Sequence, residues 1–412
     1  MRNWKKLKKE AIRETVINCL LQNTDFRDET IIGVPGSYLD EKVFNHQASF
    51  LQDAPFLTAL LNNPNHIGCH TLGHSEPFFK GSHELERTVI RICAEDIMNG
   101  APNGQDGYIA SGGTEANIQA LWIFRNYFMQ NKAAEIHNIA ILCSTDTHYS
   151  IDKAANILNI HLIKINIEKD TRKVCKDDLD SKLKSARENG IRQIIVVANM
   201  MTTMFGSVDN LDTYLDALSR NNLPYKVHVD AAYGGFFHPF STNDKQLTFA
   251  NPAVDSITMD AHKKLQAPYG TGIFLARKGM MEYAVTPEAQ YVKGLDSTLS
   301  GSRSGANAIS VWMILTSYGP HGWFERINTL VNRTEWLCTK LTTLGIRYFR
   351  ETNSNIVTIW AEDIPEKSAN TFGLVPNKHS GKPEWYKIVV MDHVSPETIE
   401  KFLETLPELA TV

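Results

Sequence analysis

A chain of 412 residues, 42% of them hydrophobic and 21% charged, is long enough for a large core, and at about 100–200 residues per domain it holds two or three domains. Its formal net charge of −4 gives no general attraction to nucleic acid or to an anionic membrane, and no apolar run approaches the roughly 20 residues that span a bilayer. The six cysteines (Cys19, Cys69, Cys93, Cys143, Cys175, Cys338) are scattered without CxxC spacing, which suits reduced thiols in a cytoplasmic protein better than a disulfide framework or a zinc site.

The basic start, Arg2 to Lys9, is broken by Trp4 and Leu7 and has no apolar stretch behind it, so it reads as a solvated helix face and not as a targeting signal. A turn-rich segment around Tyr38 and a second helical pattern through Leu51 to Leu61 follow, without strand alternation. Residues 1–80 are taken as an N-terminal arm and substrate-side loop that wraps a partner. The end of this arm holds His66, His70 and His74 among glycines and Pro77. His70 and His74 stand four apart, as two ligands on one helix face would, but Gly73 and Pro77 interrupt a helix and no third ligand stands at fixed spacing. A polar active-site loop is expected there, with no metal.

From Glu84 an amphipathic pattern (Leu85, Val89, Ile92, Ile97) predicts a helix that ends near Asn99 and Gly100. Apolar strands are then predicted at Ile139–Cys143, Leu162–Ile167, Ile194–Ala198, Val227–Val229, Ile257–Met259 and Ile273–Ala276. Helices fit between them at Glu115–Met129, Ser150–Leu158, Asp177–Glu188 and Asn210–Arg220. Nearly continuous apolar strands alternating with helices argue for an α/β fold with a mostly parallel sheet covered on both faces, here assigned to residues 81–305. Residues 306–412 read as a smaller C-terminal α+β domain. It carries helices at Ala306–Tyr318 and Phe324–Leu344, strands at Ile356–Trp360 and Lys387–Met391, and a last helix at Pro396–Leu406.

Several strand ends carry chemistry. Asp230 and Lys263 each lie just past an apolar run, where open α/β sheets bind ligands. An acid and an amine at neighbouring strand ends suit pyridoxal phosphate, although the same pair also fits a buried acid beside a solvated lysine. Gly112, Gly113 and Thr114 stand at the start of a helix, where free N–H groups and the dipole favour a phosphate; simple capping by Thr114 is the alternative. His148 follows another strand, and its imidazole could lie flat on a planar ring or serve a structural role.

These segments stand in one order along the chain, and in that order they resemble the group II pyridoxal phosphate-dependent amino-acid decarboxylases. The matching pieces are SGGTEAN (111–117), DTHYS (146–150), ANMMTTMFGSVDN (198–210), HVDAAYGG (228–235), SITMDAHK (256–263), GSRSGA (301–306) and VVMDHV (389–394). The motifs are most similar to those of short bacterial histidine decarboxylases and archaeal tyrosine or aspartate decarboxylases. The resemblance implies the fold type I architecture of the aminotransferases, pyridoxal phosphate as cofactor and a homodimer with its active site at the subunit interface. It makes Lys263 the Schiff-base lysine, Asp230 the partner of the pyridinium nitrogen and His148 the ring-stacking residue. Thr203 takes the place of the hydroxyl near the cofactor's phenolic oxygen, and Ala232 that of the small residue on the other ring face. Gly112, Gly113, Thr114 and His262 fall on the phosphate side, and Ser302 is implied to serve the second subunit's site.

The same resemblance gives Tyr291 the part of the mobile-loop acid that protonates Cα. Tyr38, His70, His74 and Lys387 are candidates for the substrate side, with Lys387 in the place where relatives use an arginine for the substrate carboxylate. A lysine is a point charge where arginine offers a two-pronged grip, so this is a departure from the pattern. Met201 is another, because many members have glycine there. Lys264 competes with Lys263; if the backbone is extended there, only one of the two can face the ring. The expected reaction is decarboxylation of an L-amino acid, histidine or aromatic, to its amine and CO2. A carbon–carbon lyase of the sphingosine-phosphate lyase type and a non-catalytic scaffold with the same fold are the alternatives.

Overall fold

The computed structural model describes residues 3–22, 65–67, 77–287 and 295–407. Its centre is a seven-stranded sheet in the order β2-β8-β7-β6-β5-β3-β4. The strands are β2 (Gln105–Ala110), β3 (Ile139–Ser144), β4 (His161–Ile165), β5 (Gln193–Asn199), β6 (Tyr225–Ala231), β7 (Val254–Asp260) and β8 (Gly272–Arg277). The pairs from β4 through β7 are parallel, whereas β8 runs antiparallel to both β7 and β2. Ile194 to Ala198 are all fully buried, the pattern of a strand with helices on both faces.

Those helices include α2 (Lys80–Arg91), α3 (Gly113–Asn131), α4 (Ser150–Leu158), α5 (Lys176–Glu188) and α6 (Leu211–Arg220). The predicted positions hold within a few residues. Asn210 caps α6 by accepting from Thr213 N at 3.2 Å, which fixes where that helix begins. The helix expected to run from Glu84 to about Gly100 is α-helical only to Arg91 and continues as a π-helical turn over Ile92–Ile97. β2 was not expected from the sequence, because Asn103-Gly-Gln-Asp-Gly107 reads as a turn. Gly107 is needed there: a Cβ would lie 2.0 Å from the Phe274 carbonyl oxygen of β8.

Ahead of the sheet, α1 (Lys9–Leu20) places Ile12, Val16 and Cys19 in the same core as α2 and the sheet, and Trp4 Nε1 donates to the Leu315 carbonyl at 3.2 Å. The short strand β1 (Asn65–Ile67), also not expected, pairs antiparallel with β9 (Ser302–Ser304).

The long helix α7 (Gly305–Thr343) breaks at Gly319 (φ 64°, ψ −180°), ahead of Pro320, between the two helices that the sequence suggests. Its first half packs Ile309, Val311 and Leu315 into the large core. Its second half packs Leu337 and Leu341 into a separate core with Val357, Ile359, Ile399 and Phe402. Over that second core lies an antiparallel sheet, β10-β11-β13-β12, with β10 at Tyr348–Phe349, β11 at Ile356–Trp360, β12 at Val375–Pro376 and β13 at Trp385–Val389. The final helix α8 (Pro396–Leu403) starts with Ser395 accepting from Thr398 N at 3.2 Å and Pro396 in the first turn. Among the described residues no helix is long and apolar enough to cross a membrane.

Candidate active site

At the carboxyl ends of the strands Asn199 of β5 stands beside Asp230 of β6, and Asp260, the last residue of β7, lies next to Ala232. Strand alternation turns His228 and Asp230 to one face of β6, and that face lies under α3. Asp230 is buried, and two donors orient its carboxylate: Asn117 Nδ2 of α3 reaches Oδ2 at 2.9 Å, and Ala232 N reaches Oδ1 at 3.1 Å. Its carboxyl group is therefore held in one orientation at the floor of a cleft.

Lys263 lies just past β7, in a run of turns and not in the extended backbone that the sequence argument for the lysine pair assumes. Lys263 N contacts Asp260 O, and Gln266 N contacts Lys263 O, each at 3.3 Å. The turn still separates the neighbours. Lys263 Nζ stands 3.0 Å from Asp260 Oδ2 with its side chain 35% exposed, whereas Lys264 is fully buried and pairs with Asp392 at 2.9 Å. Burial pushes the Asp260 carboxyl above the usual carboxylate range, and the Lys263 and His262 charges pull against it.

His148 reaches the cleft from the loop after β3. Burial lowers its pKa and so favours the neutral imidazole, while the Asp230 charge opposes that shift. His148, Asp230, Ala232 and Lys263 line one cavity together with Asn199, Met201, Thr203 and Tyr233. Of the adjacent threonines, Thr202 uses its hydroxyl on Ser207 Oγ at 2.7 Å, and Thr203 is exposed at the rim. Met201 holds φ +69°, in the left-handed region, where glycine is the residue with least strain. Lys387 arrives from β13 of the smaller domain and donates to the Thr203 carbonyl at 3.0 Å; burial, then the Lys263 charge, lowers its pKa.

On the side toward α3, the helix begins at Gly113 with Gly112 as N-cap and no side-chain cap, so Thr114 lies inside the first turn and does not cap it. Glu115 reaches back to Ser111 N at 2.9 Å and closes this turn. Close approach of backbones is built in: a Cβ on Gly272 would lie 2.5 Å from Gly112 Cα, and one on Gly113 would lie 2.8 Å from Asp260 Oδ2. A Cβ on Gly112 would come 3.7 Å from His262 Cε1, so that ring borders the helix start. Its Nδ1 is buried with no hydrogen-bond partner among the described residues. An amine, an oriented carboxyl group on the cleft floor, an imidazole and a helix N-terminus beside an imidazole nitrogen without a partner among the described residues fit the aldehyde, ring nitrogen, ring face and phosphate of pyridoxal phosphate.

Ser302 stands apart from this cavity: it is exposed on β9, while its neighbour Arg303 turns inward to pair with Glu86. Tyr38, His70, His74 and Tyr291 lie outside the described residues. Sequence reasoning missed Asn117, Asn199, Asp260 and Tyr233. Asn117 sits one helical turn past Gly113, and that spacing was the available signal.

Residues 45–355 match the family model described as the pyridoxal-dependent decarboxylase conserved domain. The chain is 45% identical to a tryptophan decarboxylase of Clostridium sporogenes over 98% of its own length and 97% of that protein. It is 32% identical to an L-aspartate decarboxylase of Thermococcus kodakarensis, over 80% of this chain and 83% of the other. The fold is similar to that of the L-methionine decarboxylase of Streptomyces sp. 590 in its internal aldimine form, with a TM-score of 0.71 at 17% identity over 96% of this chain and 92% of that one. A sphingosine-1-phosphate lyase of Burkholderia pseudomallei gives a TM-score of 0.68 at 18% identity, over 79% of this chain and 76% of that one.

Proposed function

The chain belongs to the pyridoxal-dependent decarboxylase family, and from that premise we propose that it converts an aromatic L-amino acid, tryptophan foremost, to the corresponding amine and CO2. The observation that carries the choice of substrate is the 45% identity, end to end, with a tryptophan decarboxylase. Likeness in fold does not choose between a decarboxylase and a carbon–carbon lyase, since both types share it. The family match and the sequence relatives favour the decarboxylase.

Bound pyridoxal phosphate supplies an electron-poor ring that takes up the electrons released when a substrate Cα bond breaks. In this reading the Lys263 amine would tether the cofactor through its aldehyde. Asp230, held by two donors, keeps the ring nitrogen protonated. His148 and Ala232 would hold the ring from its two faces, and Thr203 would serve its phenolic oxygen. Gly112, Gly113, Thr114 and His262 hold the phosphate. Lys387 orients the substrate carboxylate, with Tyr38, His70 and His74 on the substrate side. Tyr291 delivers the proton to Cα, and Ser302 serves the second subunit of a cytoplasmic homodimer.

CO2 release from each common amino acid, measured with purified protein and added cofactor, tests the substrate. Tryptophan and other aromatic amino acids should be turned over fastest, and a preference for aspartate or histidine would overturn the assignment. Tyr291→Phe should slow amine formation and increase oxidative or transaminating side products; unchanged turnover and purity would remove Tyr291 from the reaction.

A further inference from the structure

We propose that Asn117 is a positioning residue that couples Asp230 to His148: one amide side chain holds the carboxylate and, through Ser150, fixes His148 as the tautomer protonated on Nε2. The inference rests on the reading of this cleft as a pyridoxal phosphate site, and its main test can be read without the cofactor.

Asn117 has two donor hydrogens on Nδ2 and one acceptor oxygen, and all are engaged. Nδ2 donates to Asp230 Oδ2 and to Ser150 Oγ, each at 2.9 Å, while Oδ1 stands 2.9 Å from His228 Nε2. The amide cannot be turned over, because its oxygen would then face the Asp230 carboxylate. His228 Nε2 must therefore carry a hydrogen and donate to Asn117 Oδ1. His228 Nδ1, 2.8 Å from Ser256 Oγ, is then the acceptor of that hydroxyl's hydrogen. His228 is fully buried, and burial lowers its pKa to about 4, so it stays neutral at physiological pH.

The same logic runs on toward the cleft. Ser150 Oγ receives the Asn117 hydrogen, so its own hydrogen is free to go to His148 Nδ1 at 2.9 Å. Ser150 N, which can only donate, faces that nitrogen at 3.3 Å. His148 Nδ1 is thus an acceptor from both, and the ring's single hydrogen sits on Nε2. Every donor points one way, from Ser256 through His228, Asn117 and Ser150 to His148. Asn117, His228, Ser150 and Ser256 are each no more than 1% exposed, so water does not compete for these bonds.

An isosteric change reverses the direction. Asn117→Asp replaces Nδ2 by an oxygen that carries at most one hydrogen, and the adjacent Asp230 carboxylate takes it. Ser150 must then donate to that oxygen, and its lone pairs face His148 Nδ1 at 2.9 Å, so the hydroxyl draws the ring hydrogen to Nδ1 against the longer 3.3 Å contact from Ser150 N. His228→Gln keeps a neutral donor facing Asn117 Oδ1 and should change nothing downstream.

The test is the 15N NMR signature of histidine-labelled protein, with the His148 signals assigned by their loss in His148→Gln. The expected result is a hydrogen on Nε2 in the native protein and in His228→Gln, and on Nδ1 in Asn117→Asp. Cofactor affinity, read by absorbance titration, should weaken by about 10- to 100-fold in Asn117→Asp, where the two carboxyl groups share one proton and Asp230 no longer offers the ring nitrogen a full charge, an effect the size of one hydrogen bond to a charged group, and stay within about threefold in His228→Gln. An Nδ1-protonated native His148, an unmoved tautomer in Asn117→Asp or an unchanged affinity there would overturn the proposal. If Asn117→Asp does not fold, Ser150→Ala takes its place: a mixture of His148 tautomers supports the coupling, and a retained Nε2–H form shows that the backbone N–H suffices and Asn117 does not set it. Should the protein bind no pyridoxal phosphate at all, the cofactor reading fails while the NMR result still decides the tautomer.

Discussion

The cofactor cleft and the seam between the two domains meet at two adjacent lysines. Lys263 faces the cleft beside Asp260 and is partly open to solvent. Lys264 points into the seam, where Asp392 of the smaller domain lies between it and Arg326 of α7, at 2.9 and 2.7 Å, and the Trp323 ring closes over it at 5.9 Å. The first faces the cleft, and the second is held by Asp392 and covered by the Trp323 ring. A second tie crosses the seam nearby: Gly206, in the loop that carries Thr203, packs on Ser354 and Ile356 of the smaller domain. The cleft is therefore held in shape from the seam, and substitutions on the two sides should fail differently.

The largest effect is expected at the cleft. Lys263→Ala should lower turnover on the order of 10^4-fold while leaving the thermal midpoint nearly unchanged, and borohydride reduction with peptide mapping should no longer label this segment. A pyridoxyl label on Lys264 in the native protein would break the contrast altogether.

Next comes the seam acid. Asp392→Ala leaves a fully buried ammonium beside a guanidinium, so unfolding in urea should show a loss of about 3–5 kcal/mol. The two cations hold the Asp392 carboxyl down at about 2, against burial that raises it. The folded value lies below the unfolded one of about 3.9, so this stabilisation is complete above that pH and fades as pH falls toward about 2. The stability difference between native protein and Asp392→Asn should narrow across that window, and a difference independent of pH would exclude the linkage.

Gly206→Ala sharpens the link between the regions. Its φ of +64° is costly for alanine, and the new Cβ would lie 2.8 Å from Ser354 Oγ, so a loss of about 2 kcal/mol with weaker cofactor binding is expected. Calorimetry and absorbance titration of the same variant report both.

The smallest effect is expected for Lys264→Met. It removes a charge whose burial is itself unfavourable and leaves Asp392 paired with Arg326, so the change should stay near 1 kcal/mol with turnover retained. A loss as large as that of Asp392→Ala would show that the ammonium, not the carboxylate, anchors the seam.

Much of this was legible in the chain. The strand centres from Ile139 to Ala276, the break near Gly319 and the order of His148, Asp230 and Lys263 follow from apolar runs, from Gly and Pro and from motif spacing. β2 was hidden because a strand that pairs through a glycine has the composition of a turn. The antiparallel direction of β8 was hidden because direction leaves no mark on an apolar run. The start of α3 was expected at Glu115 and lies two residues earlier, since the glycines before Thr114 let the helix begin at Gly113.

The sequence by itself determined which reactive groups stand at the strand ends and in what order, because local periodicity and turn chemistry act over a few residues. Tertiary structure decided which lysine faces the cleft, which donors hold Asp230 and where the proton on His148 resides. Those outcomes depend on partners such as Asn117 with Asp230 and Lys264 with Asp392, separated by 113 and 128 residues, and only the packed sheet and helices bring them within hydrogen-bond reach.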